Sequence, residues 1–134
     1  GITVNSFNSV SMDPPLVLWS IAKSTYSLKD FQKSNFFNVH ILSDEDVALS
    51  SLFASVGDDK FKDLNYKRDK NNIPLLSNCP ARFQCKTVNQ YEGGDHIIFI
   101  GQVLTFDRQE MTPLLFHDGS YATCPRRLHQ QDKK

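Results

Sequence analysis

The sequence has no excess of charge of either sign and no long apolar run. Its 15 lysine and arginine residues balance 15 aspartate and glutamate residues, so the formal net charge is zero. This balance argues against a nucleic-acid partner, which usually selects a basic excess, and against a membrane-surface domain. No apolar stretch approaches the roughly 20 residues needed to cross a bilayer. The first residues also lack the basic and apolar regions of a signal peptide, so we expect a cytoplasmic protein.

Cysteine is scarce, and its placement excludes several kinds of site. Cys79, Cys85 and Cys124 are an odd number, and no two of them form a CxxC pair. We interpret them as reduced thiols, with a single disulfide as the alternative. No group of histidine, cysteine and carboxylate residues has the spacing of metal ligands. The sequence also lacks GxGxxG, so no Rossmann dinucleotide site is predicted.

The hydrophobic pattern predicts a mainly β protein, a small β-barrel with two short inserted helices. We expect strands over residues 2–11, 16–22, 36–42, 80–91, 96–106 and 113–116, and helices over residues 27–34 and 44–54. Ser43 is the expected cap of the second helix, and its expected buried stripe is Val47, Leu49, Leu52 and Phe53. Residues 60–72, with the charge run over 67–70, are expected to form a solvated loop. Residues 1–124 are predicted to be one domain, followed by a polar and frayed tail over 125–134.

Hydroxyl and amide side chains are concentrated in the first predicted strand. The run from Thr3 to Ser11 is Thr-Val-Asn-Ser-Phe-Asn-Ser-Val-Ser, and a rigid corner, Asp13-Pro14-Pro15, follows it. Hydroxyl and amide groups can bind a phosphorylated ligand, and an extended backbone can lie beneath a flat ring. A polar edge strand that binds nothing is the alternative interpretation of the same residues.

Three later segments also carry side chains suited to a ligand. Residues 22–27 (Ala-Lys-Ser-Thr-Tyr-Ser) follow a buried strand and combine hydroxyls, an ammonium group and the N–H groups of a helix start, which favour an anion. Residues 93–96 (Gly-Gly-Asp-His) form a turn that places a histidine beside it, and residues 113–121 end in a tyrosine. The structural alternatives are a helix cap, a solvent-facing histidine and a tyrosine that completes the core.

In this order the four segments resemble the flavin reductase family, the NAD(P)H:flavin oxidoreductases with an FMN-binding split β-barrel. The resemblance implies an enzyme in which hydride passes from C4 of NADH or NADPH to N5 of FMN or FAD. It also implies a homodimer, and a flavin-dependent monooxygenase as the partner that receives reduced flavin. It assigns to His96 the positioning of nicotinamide and flavin. The residues that it assigns to the cofactor are Asn5, Ser6, Ser9, Val10, Ser11, Ala22, Lys23, Ser24, Thr25 and Tyr121.

Two features depart from the family pattern. Family members usually have a helix and one or two strands before the segment that contains Asn5, so we expect this chain to lack its N-terminal strands. The edge left open would be an aggregation hazard that a second copy could cover. Residues 67–72 also lack the glycines expected before Ile73 and Pro74, so the shape of this loop stays open. The segment Asp59-Lys60-Phe61 does match the family, and we interpret Phe61 as a packing residue.

Two alternatives to a flavin reductase stay open at the level of sequence. One is a flavoprotein that keeps its FMN for electron transfer and reacts slowly with NAD(P)H. The other is a structural relative that has the split-barrel fold and binds no flavin.

Overall fold

A computed structural model describes residues 1–57 and 59–124 of the chain. These ranges form nine strands and two short helices, in an order that confirms the predicted mainly β class. The strands are β1 (Asn8–Met12), β2 (Pro15–Ala22), β3 (Phe36–Ile41), β4 (Tyr66–Arg68), β5 (Pro74–Leu76), β6 (Ala81–Gly93), β7 (His96–Arg108), β8 (Leu114–His117) and β9 (Ser120–Thr123). The helices are α1 (Leu28–Lys33) and α2 (Val47–Ala54). Five strands make one antiparallel sheet in the order β1-β2-β7-β6-β3, and β4–β5 and β8–β9 are separate two-stranded hairpins.

The core lies on one face of the sheet, centred on β2 and β7. Their antiparallel pairing sets Trp19 opposite Phe99, and both side chains are buried. The Trp19 ring stacks on Phe99 with centroids 4.9 Å apart, and Phe31 of α1 packs edge-on against Trp19 at 5.0 Å. Because side chains alternate along a strand, Leu18 and Ile100 lie on the opposite face, where they are partly exposed. β7 lies between β2 and β6 in the sheet, with apolar residues on both of its faces.

The first predicted strand, over residues 2–11, is wrong in its first half, because β1 begins only at Asn8. The segment before it lies against α2 instead of entering the sheet. Thr3 donates its N–H to the Phe53 carbonyl at 3.2 Å and its hydroxyl to the Ser50 carbonyl at 2.7 Å. The Phe53 carbonyl belongs to the last turn of α2 and lacks a helical partner, so this helix end competes with strand pairing for the segment.

The helix predicted over residues 44–54 starts late, at Val47, with Asp46 rather than Ser43 at its N-cap position. Ser43 is buried, and its hydroxyl donates to an Asp46 carboxylate oxygen at 2.9 Å in the turn that precedes the helix. The expected buried stripe is confirmed at Phe53 and is wrong at Val47 and Leu52, which are exposed. The buried residues of α2 are Ser50 and Phe53.

The expected loop over residues 60–72 contains a strand that the sequence did not predict. Tyr66–Arg68 pairs with Pro74–Leu76, while the charged side chains of Lys67, Arg68 and Lys70 stay exposed, as expected. Asn72 adopts the left-handed conformation, with φ of 64°, at the turn where the family pattern suggested glycine. Asparagine tolerates this conformation, so the turn forms without that glycine.

The hairpin β8–β9 is only half predicted, because β9 was missed. Its turn holds Asp118 and Gly119 at φ of 52° and 74°, the signature of a type I′ turn. The Asp-Gly pair between two short apolar runs was therefore a usable signal. The predicted tail over 125–134 lies outside the described residues.

The thiols of Cys79, Cys85 and Cys124 are all free, as predicted. Burial raises the pKa of Cys79 to about 11 and that of Cys85 to about 12, so both stay protonated and unreactive at neutral pH. In the part of the chain that the structure describes, no helix is long and apolar enough to cross a membrane.

Candidate functional site

A cavity of about 620 Å³ opens where the N-terminal segment, the end of β2 and the loop after α2 meet. Its volume falls within the roughly 300–1,000 Å³ of small-molecule sites. The wall combines polar residues with aliphatic and aromatic ones. The wall brings together six of the residues predicted to contact a cofactor or nicotinamide: Asn5, Ser6, Ala22, Ser24, Thr25 and His96.

Ser6 joins the two strands that carry the predicted site. Its hydroxyl oxygen accepts the Ser20 N–H at 3.0 Å, and the hydroxyl donates to the Ser20 carbonyl at 3.3 Å. This reciprocal pair extends the β1–β2 hairpin beyond the last backbone pairing, which is Asn8 with Leu18. Ser6 therefore fixes the cavity wall through its own hydrogen bonds, and one lone pair of its oxygen stays available to a ligand.

The turn between β2 and α1 presents hydroxyls and backbone donors to the cavity. Thr25 donates its N–H to the Ala22 carbonyl at 3.0 Å, and the Thr25 carbonyl accepts the Leu28 N–H at 3.2 Å. The serine and threonine residues that this turn contributes to the cavity wall are Ser24, Thr25 and Ser27. Among the described residues, no acceptor pairs with the N–H groups of Ser24, Tyr26 and Ser27. Free donors clustered with hydroxyls favour an oxyanion such as a phosphate.

The helix that follows this turn is weaker than expected as an anion site. α1 has only six residues, and Ser27 occupies its N-cap position without a side-chain capping bond. The turn itself, rather than the helix, is therefore the source of donors.

Lys23 does not lie on the cavity wall. Its ammonium group donates to Glu92 Oε1 at 2.7 Å, and this bond lowers the pKa of the Glu92 carboxyl. Its backbone N–H donates to the Asp95 carbonyl at 2.8 Å, which ties the end of β2 to the β6–β7 turn. A role for Lys23 at a phosphate stays a prediction, because the structure engages its side chain elsewhere.

Lys60 is the residue whose ammonium group does reach the wall of this cavity. It donates to the Phe53 carbonyl at 3.1 Å, at the C-terminal end of α2, and it lies over the Phe53 ring at 6.0 Å from the centroid. The sequence did not predict a ligand-binding role for Lys60. The Asp-Lys-Phe match to the family was the one signal that pointed to it.

His96 begins β7 and forms a backbone pair with Ala22, so these two predicted residues are neighbours across the strands. Its ring is half-exposed, and Nδ1 lies 2.8 Å from an Asp95 carboxylate oxygen. The contact lowers the pKa of Asp95. A carboxylate at Nδ1 favours the tautomer with its proton there, which leaves Nε2 as an acceptor when the ring is neutral.

The other predicted residues lie away from the first cavity. Ser9, Val10 and Ser11 belong to β1, on the edge of the sheet, where Val10 is the extra residue of a bulge. Tyr121 lies on β9, and its hydroxyl is 2.9 Å from that of Ser50. Their contact with a cofactor stays a prediction.

Tyr121 lines a second cavity, of about 840 Å³, which lies between β3, the two helices and the β8–β9 hairpin. Its wall is mostly apolar and includes Trp19. The Trp19 indole N–H is buried and has no acceptor among the described residues. Residues 1–5 of the N-terminal segment line both this cavity and the first one.

The sequence matches the family model described as flavin reductase like domain over residues 1–125. It is 39% identical over 126 residues to the FMN reductase (NADH) SmoA of Agrobacterium fabrum, covering 94% of this chain and 72% of that protein. It is 37% identical over 123 residues to the reductase component of the flavin-dependent trigonelline monooxygenase of Acinetobacter baylyi, covering 92% of this chain. The chain spans only 40% of the length of that second relative.

A solved structure agrees with the sequence matches. The NADH:FAD oxidoreductase SgcE6 of Streptomyces globisporus, in complex with NAD and FAD fragments, superposes with a TM-score of 0.85 at 30% identity. The superposition covers 98% of this chain and 79% of that one. The five-stranded sheet and its hairpins are thus a split β-barrel, and the chain belongs to the flavin reductase-like family.

Proposed function

We propose that this chain is an NAD(P)H-dependent flavin reductase that binds FMN or FAD in the first cavity. Family membership supports the activity. One observation supports the location of the flavin site. The wall of the first cavity brings together the turn between β2 and α1, the segment that contains Asn5, and His96, which come from three separate parts of the sequence. Short motifs can resemble those of a family without lying close together in the fold, so their meeting at one cavity is independent support for the site.

The chemistry of the wall fits a phosphorylated flavin. The hydroxyls of Ser24, Thr25 and Ser27, with the free N–H groups of the same turn, suit the phosphate. Lys60 adds a positive charge to the wall, which favours a dianionic group by Coulomb attraction. Apolar side chains suit the ring system, which is flat and largely apolar on its faces. Those that line this cavity include Ile2, Val4, Ile21 and Phe61.

Bound flavin would supply the electron chemistry, accepting hydride from the nicotinamide. The residues of the protein would orient the flavin and the nicotinamide and surround them with polar groups. Asn5 and Ser6 would offer polar groups to the flavin, and Ala22 would leave room for its ring system because the alanine side chain is a single methyl group. His96, whose Nδ1 is held by Asp95, would present Nε2 to the flavin or to the nicotinamide. No general base is needed to move a hydride, and none of these roles requires one.

We propose that the reduced flavin serves a flavin-dependent monooxygenase, since a relative is the reductase component of such a system. We also propose a homodimer. The sheet face opposite the core carries partly exposed aliphatic residues at its centre, namely Leu16, Leu18, Ile98 and Ile100. At the edge of the sheet Met12 is 92% exposed. Contiguous apolar surface of this kind is typical of homodimer interfaces.

The activity is tested by mixing purified protein with NADH or NADPH and with FMN or FAD, and following the loss of nicotinamide absorbance. We expect oxidation that needs both a nicotinamide and a flavin. Stopped-flow reduction of pre-bound FMN separates this function from electron transfer. If the protein binds FMN but NADH and NADPH reduce it no faster than they reduce free FMN, the chain is an electron-transfer flavoprotein and the reductase proposal is wrong.

A further inference from the structure

The second cavity has no part in the function proposed above, yet its wall has the composition of a ligand site. Its volume of about 840 Å³ lies within the range of small-molecule sites. Aromatic side chains are prominent on the wall, and they include Phe31, Phe36, Phe37 and Phe116 beside Trp19. Such a wall favours a flat, apolar ligand, because contacts between rings add to the gain from burying apolar surface.

One polar atom of this wall lacks a partner. Trp19 is only 4% exposed, and its indole N–H is buried with no acceptor in the described part of the chain. The rings that pack against the indole are those of Phe99, Phe31 and Phe37, and a phenylalanine side chain has no oxygen or nitrogen to offer. A buried donor without an acceptor is unfavourable, so an occupant of the cavity that supplies an acceptor gains affinity.

Water is a poor candidate for that acceptor. A buried water makes about three hydrogen bonds, and it needs several polar groups around it to do so. Trp19 reaches the second cavity together with Phe31 and Phe37, which line the same wall. These neighbours give a water molecule nothing further to bind. A mostly apolar molecule with one acceptor matches the surroundings of the donor better.

The charges on the wall indicate that this molecule is neutral. Among the described residues, the ionised side chains on the wall are those of Asp30 and Arg68, which have opposite signs, and both residues are exposed. Trp19, in contrast, is buried. A charged group placed against its indole N–H would be buried without a counter-charge, which costs far more than burying a neutral acceptor.

We propose that the second cavity binds a small, neutral aromatic molecule that carries a carbonyl oxygen, and that this oxygen accepts the Trp19 indole N–H. A carbonyl fits better than a hydroxyl, because a hydroxyl brings a donor of its own that would need another acceptor. The site is separate from the one proposed for flavin, and its existence does not depend on flavin in the first cavity.

The experiment is an NMR titration of the isotope-labelled full chain with indanone and, separately, with indane, which has the same ring skeleton without the carbonyl oxygen. The chain has one tryptophan, so its spectrum contains one indole N–H signal. We expect indanone to shift this signal downfield, because a new hydrogen bond deshields the proton. Indane should produce no downfield shift.

Calorimetry with two variants separates the donor from the ring contacts. Trp19→Phe keeps an aromatic ring and removes the donor, so it should weaken indanone binding by about 3- to 10-fold and change indane binding by less than about twofold. The control is Phe31→Leu, which trims a ring that lines the same cavity and packs against Trp19 at 5.0 Å. This ring has no donor to lose, so the control should affect both ligands equally.

Three results would overturn the proposal. Absence of binding, or an indole signal that stays in place at saturating indanone, would show that the donor is not used; this test needs only the wild type, so it decides even if Trp19→Phe does not fold. Equal weakening of both ligands by Trp19→Phe would reduce Trp19 to a packing residue. Displacement of indanone by FMN would place it in the flavin site. A chain that binds no flavin leaves these measurements intact, so the two proposals can fail separately.

Discussion

Acidification from pH 7 to pH 4 is expected to remove about 3 kcal/mol of stability through His40 alone. Burial, with the nearby Arg82 guanidinium, lowers the pKa of His40 to about 4, from 6.5 for an unhindered imidazole, while Asp107 opposes the shift. At 1.36 kcal/mol for each pH unit, a difference of this size between the folded and unfolded states gives that magnitude.

The sign follows from which state binds the proton. In the unfolded chain His40 becomes charged below about pH 6.5, whereas in the folded chain it stays neutral down to about pH 4. The unfolded state therefore binds more protons in this window, and stability falls as the pH falls. Contacts in the folded state explain why His40 resists protonation there. His40 Nε2 accepts the Leu76 N–H at 3.0 Å, and Arg82, which pairs with His40 across the strands, donates to the Leu76 carbonyl at 2.7 Å.

Urea unfolding of the wild type and of His40→Gln at several values between pH 7 and pH 4 checks this prediction. The glutamine amide oxygen can still accept the Leu76 N–H, but it does not titrate. The two proteins share every other ionisable group, so the difference between their pH profiles isolates His40. We expect the wild type to lose about 3 kcal/mol more than the variant across the window. Parallel profiles would show that His40 is not held neutral by its surroundings.

Gly101→Ala is expected to lower the free energy of unfolding by about 3 kcal/mol, near the upper end of overpacking effects. Gly101 lies in β7, where the buried Phe37 ring of β3 packs directly against its Cα. A Cβ at this position would lie 2.7 Å from Phe37 Cε2, closer still to Cζ, and 3.2 Å from Cys85 Cβ. Phe37 cannot move away easily, because it also packs edge-on against Trp19 at 5.6 Å.

The control for Gly101 is Gly93→Ala, at the end of β6. There a Cβ would come closest to Ile98 Cδ1, at 3.2 Å, which is the far end of a flexible side chain on the partly exposed face. We expect this variant to change stability by less than about 1 kcal/mol. Chemical denaturation of both variants measures the contrast. Equal effects of the two substitutions would mean that the close approach of Phe37 does not limit the size of residue 101.

The strands of the central sheet were predictable because their signal is local. β2, β3 and β7 are rich in β-branched, aromatic and aliphatic residues, β6 follows Pro80 and ends at Gly93, and each strand lies within a few residues of its expected position. The first half of the predicted N-terminal strand failed for a non-local reason. Thr3 bonds to the end of α2, at Ser50 and Phe53, and no pattern within residues 2–11 reports a partner 47 residues away.

The candidate site was predictable in its residue types but not in its charges. Hydroxyl runs and the Gly-Asp-His turn are visible in the sequence, and the fold brings Asn5, Ser24, Thr25 and His96 to one wall. The sequence did not show which lysine lines that wall. The sequence places Lys23 beside the hydroxyls, but Glu92 from the facing turn pairs with it, while Lys60 arrives from a distant loop. Pairing between side chains of separate strands depends on register, which composition does not reveal.

The central claim is that the turn after β2 holds a flavin phosphate. Parallel titrations of the wild type and of the double variant Ser24→Ala/Thr25→Ala, with FMN and with riboflavin, test it most directly, because riboflavin lacks only the phosphate. Hydrogen bonds to a charged group contribute about 1.5–3 kcal/mol each, so the double variant should bind FMN at least tenfold more weakly. Its affinity for riboflavin should equal that of the wild type. Equal binding of FMN and riboflavin by the wild type, or equal loss of both in the variant, would contradict the account.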